Sequence, residues 1–128
     1  MAVGSRVPTA RWPLAVASSS NRPLIDAVLR RLGLTDLFAV TVSAEEVARG
    51  KPAPDVYVET ASRLGVEPRR SVAVEDSASG IKAAHAAGMH VVAYPNRHYP
   101  PAADALELAD VVGSLDELTA ERVLSLAR

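Results

Sequence analysis

Five short apolar runs punctuate the chain: LAVAS (14–18), FAVTV (38–42), SVAVE (71–75), HVVAY (90–94) and DVV (110–112). The first four are nearly continuous rather than alternating, the pattern of strands covered on both faces. Between them lie stretches with helical spacing. Leu24, Ile25, Val28, Leu29 and Leu32 form one stripe, which starts near Asn21 with Pro23 in the first turn and stops at Gly33. Tyr57, Thr60, Ala61 and Leu64 form a second, behind Pro54 and Asp55 and ahead of Gly65. A third runs from about 79 to 87 and stops at Gly88, and a last helix is predicted over about 120–127. Strand and helix in alternation predict an α/β fold: a doubly wound, mainly parallel sheet with helices on both faces.

A length of 128 residues predicts one domain over 1–128. A net charge of −1 gives no reason to expect nucleic acid or an anionic membrane surface as a partner. No apolar run approaches the ~20 residues that span a bilayer, and the start lacks the apolar core of a secretory signal, so a cytoplasmic location is expected. The absence of cysteine excludes disulfides, thiolate metal sites and cysteine nucleophiles. Three histidines, at 85, 90 and 98, are a poor basis for a multi-histidine metal centre.

Ligands of doubly wound sheets bind beyond the carboxyl ends of the strands, which directs attention to three places: 18–21, the loop 43–54 and 75–80. ASSSN (17–21) leaves the first strand and enters a helix, where hydroxyls and backbone N–H groups suit an anion such as phosphate. Ser and Asn are equally preferred as plain helix caps. RGKPAPD (49–55) presents Lys51 ahead of two prolines that stiffen the loop, although a lone loop lysine is ordinarily a solvated charge. VEDSASG (74–80) ends a buried strand in Glu75 and Asp76, oxygen ligands suited to Mg²⁺, or an acidic turn in which Asp76 caps the next helix. Hydroxyls, an isolated lysine and a carboxylate pair, each after a separate parallel strand, converge on a crevice suited to phosphate with Mg²⁺.

LAVASSSN, GKPAPDVYVETASRLGV and SVAVEDSASGIKAAHAAGM resemble, in order, the second, third and fourth motifs of the haloacid dehalogenase-like superfamily. The nearest resemblance is to its β-phosphoglucomutase and sugar-phosphate phosphatase branch, over about residues 12–128. The resemblance implies a Rossmann-like core and Mg²⁺-dependent phosphatase or phosphomutase chemistry on a small phosphorylated metabolite such as a sugar phosphate. It implies that Ser18 binds the transferring phosphoryl group with help from the backbone around Ser19 and Ser20, and that Lys51 neutralises phosphate and steadies the nucleophile. Asp76 would then be a Mg²⁺ ligand, with Glu75 assisting directly or through water. In the family's mechanism an aspartate attacks phosphorus, and water hydrolyses the aspartyl-phosphate that forms.

The sequence departs from that pattern at its first motif. Asp-x-Asp, the source of the nucleophile, occurs nowhere, the first aspartate being Asp26, and no helical cap precedes residue 12. The core is therefore expected to be incomplete on its N-terminal side, with an open slot between the strands at 14–18 and 71–75. About ten unpaired backbone groups there would cost ~1–3 kcal/mol each, so the sheet is expected to rearrange or the chain to self-associate, as a homodimer, through the exposed strands. Residues 2–7 are too closely linked to residue 14 to fill the slot as a parallel strand. Two functional readings follow. One is an enzyme of this class represented by an incomplete chain (a truncation, gene fragment or misplaced start codon), inactive alone and holding Mg²⁺ weakly. The other is a non-catalytic phosphate- and Mg²⁺-binding or interaction module of the same fold. The substrate stays open, because the family's cap selects it.

Overall fold

A computed structural model describes residues 12–126; the segment 2–7 considered above lies outside them. Within the described residues the order is β1 (Ala15–Ser18), α1 (Arg22–Arg31), β2 (Val40–Ser43), α2 (Asp55–Leu64), β3 (Val72–Glu75), α3 (Ala78–Ala86), β4 (His90–Ala93), α4 (Ala103–Leu106), β5 (Asp110–Val111) and α5 (Ala120–Leu126). All pairings are parallel, β1 with β2 and β3 with β4 with β5. The expected α/β class and helix–strand alternation are therefore observed.

The near-continuous apolar runs are explained by two-sided burial. Ala17, Val42, Ala73, Val91 and Ala93 face a cluster built with Val56, Tyr57 and Ala61 of α2 and Ile81, Ala83 and Ala84 of α3. The alternate residues point the other way: Val16 packs with Ile25, Leu29 and Phe38, and Val74 and Val92 pack with Val112 and Leu118. Small residues on the α2–α3 side let those helices lie close, so Ile81 and Val56 are completely buried. Hydrophobic burial of this kind is the dominant stabilising term.

Local signals fix the helix ends. Asn21 caps α1 by accepting from Leu24 N at 2.9 Å, and α2 ends at Gly65, whose φ of 71° suits a residue without Cβ. Several expectations need adjustment. The second strand begins at Val40 rather than at 38, because Phe38 is drawn into the cluster under α1. Only Ile25 and Leu29 of the α1 stripe are buried; Leu24, Val28 and Leu32 are solvent-exposed. Helix α4 was not anticipated, since four residues behind Pro100 and Pro101 are too few for a periodic stripe.

β1 and β3 do not pair with each other; they line opposite parts of one apolar groove with a cavity of about 180 Å³. Ala15, Ala17, Val72 and Val74 belong to it, together with Trp12, Tyr57 and Leu118. The slot inferred from the sequence thus corresponds to a division of the described strands into two sheets. At the carboxyl ends of β1 and β3 the side chain of Lys51 bonds both strands, at the Ala17 carbonyl and at Glu75.

Candidate active site

β1 ends in Ser18, whose Oγ accepts from Ser20 N at 3.1 Å and so bends the chain toward α1. Ser20 is held in turn by Ser43 at the end of β2, a fully buried hydroxyl that donates to the Ser20 carbonyl at 2.7 Å. Ser19 is exposed. The N-terminus of α1 itself is occupied: Arg22 N donates to Glu45 Oε1 at 2.8 Å, Leu24 N to Asn21 Oδ1, and Pro23 has no N–H. Capping accounts for Asn21, and an anion at this corner would meet the Ser18–Ser20 turn instead of the first turn of the helix.

The turn is braced from outside. Glu46 accepts from Ser43 N, from Arg22 at 2.5 Å and from Arg63 at 3.1 Å. The backbone N–H of Ser43, followed by Arg22, holds its carboxyl at about 2. A carboxyl with a depressed pKa stabilises the fold above its unfolded value and loses that contribution as pH falls through its folded one. The variant Glu46→Gln is therefore expected to lower stability by about 1 kcal/mol at neutral pH. In urea titrations repeated at several pH values, that difference should shrink below pH ~4.5 and vanish near pH 2. A constant difference down to pH 2 would contradict this account.

Lys51 projects from the turn before α2, and its peptide bond to Pro52 is cis. Its Nζ donates to the Ala17 carbonyl at 3.2 Å and to Glu75 Oε1 at 2.6 Å. The side chains of Lys51 and Glu75 are only 6% and 2% exposed, so this is a buried pair rather than a solvated loop charge. Tyr57, in the first turn of α2, donates its hydroxyl to the same oxygen of Glu75. Burial, then the Glu75 charge, keeps that hydroxyl protonated far above its ordinary range. For Glu75, burial opposes ionisation, but the Lys51 ammonium and the Tyr57 hydroxyl are among the groups that outweigh it and hold the carboxyl below its usual value.

Asp76 follows at the end of β3, exposed, with its carbonyl accepting from Asn96 N of the loop after β4. It does not cap α3; Ser77 does, accepting from Gly80 N at 3.2 Å. The Asp76 carboxylate is left exposed, next in sequence to the buried Glu75. The donors suit Mg²⁺ in kind, since that ion is commonly held by one or two carboxylates, substrate phosphate and water. Among the described residues no group of three or more acids or histidines joins them.

The structure thus brings Ser18, Lys51 and Glu75 to one corner, with Asp76 adjoining Glu75 in sequence. The sequence assigns no site role to Tyr57 or the Ala17 carbonyl, marks Ser43 only as the start of the loop 43–54, and offers Gly80 only as a residue that lets the chain turn into a helix. By periodicity Tyr57 is only one position of a helical stripe. A tyrosine on an inward face needs a partner for its hydroxyl, and that requirement was the available signal. For Ser43 the signal is its position after an apolar run, at the start of the loop 43–54.

Three comparisons bear on this geometry. A family model described as haloacid dehalogenase-like hydrolase matches residues 9–88. Fructose-1-phosphate phosphatase YqaB of Escherichia coli K12 is 44% identical over 82 residues, 64% of this chain and 44% of that protein. Hexitol phosphatase B of the same strain is 40% identical over 114 residues, 87% of this chain and 50% of its own length. Among solved structures, a hydrolase of this family from Deinococcus radiodurans with bound phosphate and sodium superposes with a TM-score of 0.79 at 36% identity, covering 91% of this chain and 55% of that one. A β-phosphoglucomutase from Clostridium difficile does so with a TM-score of 0.77 at 27% identity, covering 93% and 50%. The chain spans about half the length of these relatives.

Proposed function

This chain belongs to the haloacid dehalogenase-like hydrolases, in the branch of β-phosphoglucomutases and sugar-phosphate phosphatases, and on that footing we propose that it forms the phosphate- and Mg²⁺-binding half of an enzyme acting on a small phosphorylated metabolite such as a sugar phosphate. The observation that carries the reading is Lys51, buried yet cationic, donating both to the carbonyl beside Ser18 and to Glu75. Ser18 would receive the phosphoryl oxygens by donating its hydroxyl, with the Ser19 backbone as a further donor, and the Ser20 N–H, which already bonds Ser18 Oγ, would join them only by turning to the ligand. Lys51 would balance the phosphate charge. Asp76, with Glu75 beside it, would hold Mg²⁺, which when bound supplies charge neutralisation to the transferring group. Preorganised positive charge of this kind is the main contribution a protein makes to phosphoryl transfer.

Among the described residues no helix is long and apolar enough to cross a membrane; a cytoplasmic location and the absence of nucleic-acid and membrane partners are part of the proposal. So is self-association as a homodimer through β1 and β3, supported by their unpaired edges within the described residues. A non-catalytic phosphate-binding module is the second reading, favoured by one observation: the 128 residues contain no Asp-x-Asp.

Titration of ¹⁵N-labelled protein with inorganic phosphate, with and without Mg²⁺, tests the site. Amide shifts are expected at 18–21, at Lys51 and at 76–80, with Mg²⁺ affecting Asp76 most. Saturating phosphate that leaves those amides in place would remove the basis of both readings.

A further inference from the structure

The buried Tyr57 hydroxyl does work that neither the motifs nor the family match assigns. Glu75 Oε1 accepts from two donors at once, the Tyr57 hydroxyl and Lys51 Nζ, and the ammonium stands 5.1 Å from the centroid of the Tyr57 ring. The ring is 6% exposed, and Tyr57 N bonds the Pro54 carbonyl, so the turn that carries Lys51 and the tyrosine that meets it are one local unit. On the side of α3, Gly80 is buried and its lack of a side chain is required: a Cβ there would overlap the Glu75 carboxylate. Residues from two helices thus fix the carboxylate that anchors the lysine.

We propose that Tyr57 is a positioning residue, which together with Gly80 holds the Glu75 carboxylate so that the Lys51 ammonium stays fixed beside the carboxyl end of β1. Tyr57 acts through Glu75 and needs no contact with phosphate. The consequence for phosphate affinity rests on the functional reading above; the consequence for Lys51 itself does not.

Lys51 and Lys82 are the only lysines in the sequence, and Lys82 is a half-exposed partner of Asp104. The side-chain ammonium of Lys51 is therefore assignable by ¹H–¹⁵N NMR with Lys82→Arg as control, and its burial predicts slow exchange with water. In Tyr57→Phe, which keeps the ring, that resonance is expected to shift and its protons to exchange at least about 3-fold faster, while phosphate Kd rises about 5-fold, the effect of one hydrogen bond. A Lys51 ammonium resonance unchanged in folded Tyr57→Phe overturns the proposal, even if the melting temperature falls, because a purely structural tyrosine would lower stability and leave the lysine alone. A changed resonance with no phosphate binding even in the parent protein upholds the positioning role and overturns the site reading. Should Tyr57→Phe not fold, the parent decides: a slowly exchanging Tyr57 hydroxyl proton with a nuclear Overhauser contact to the Lys51 ammonium is expected, and its absence overturns the proposal.

Discussion

Mixed with Mg²⁺ and an aryl phosphate, the 128-residue polypeptide is expected to release no phosphate above the uncatalysed rate. Covalent phosphoryl transfer needs an activated nucleophile. Ser18 Oγ is committed to the Ser20 amide. His90 begins β4 and His85 lies in the last turn of α3, at the amino ends of the strands and away from Ser18, and His98 lies exposed in the loop after β4. None of them is placed as its base. Lys51 is a cation in a buried pair. Asp76→Ala should accordingly change nothing in this assay, and turnover that disappears in that variant would reveal a nucleophile among these residues. Fusing an Asp-x-Asp-bearing strand of a relative ahead of residue 12 is expected to raise the rate by about 10⁶-fold or more, within the range of enzymatic accelerations. The new activity should require that strand's first aspartate, Lys51 and Asp76. A folded fusion that stays inactive across a broad sugar-phosphate panel favours the binding-module reading.

The second large effect concerns stability. Replacing Lys51 by Met removes the cation from a carboxylate that is 2% exposed. Breaking a buried pair by removing one partner typically costs about 3–5 kcal/mol, even though Glu75 would keep the Tyr57 hydroxyl as a donor. That is a large part of the roughly 5–15 kcal/mol by which a domain is stable. In urea denaturation Lys51→Met should therefore shift the midpoint strongly, whereas the double variant Lys51→Met/Glu75→Gln should recover at least about half of the loss, since no isolated charge remains. A single-variant cost below about 1 kcal/mol would mean that the pair contributes no more than an exposed one, and the structural role given to Lys51 would be disproved.

The helix–strand alternation was readable because each signal is local. Asn21, Gly65 and Gly88 mark helix ends through their own backbone and capping chemistry, and the runs at 72–74 and 91–93 are apolar on both faces because both faces are covered. Lys51 and Asp76 were legible as site candidates by their position after strands. The environment of Lys51 was not, because its burial comes from contacts with Ala17 and Glu75, 34 and 24 residues away in sequence. Tyr57 and Gly80 were hidden for the same reason. In the sequence one is an apolar helix position and the other a small residue in a turn, and only the fold brings the Glu75 carboxylate to both. The exposed half of the α1 stripe marks another limit, since periodicity reveals a face and not what covers it.

The groove between β1 and β3 gives Lys51 a mechanical meaning. Among the described residues no backbone pairing joins the two sheets, and the Lys51 ammonium acts as a rivet, fixed to the Ala17 carbonyl on one side and to Glu75 on the other. An anion that draws the ammonium into the crevice competes with both of those acceptors, so occupancy and cohesion are thermodynamically linked. Linkage is reciprocal: a ligand that loosens the rivet makes the sheets easier to part, and whatever wedges the sheets apart changes the affinity for that ligand by the same factor.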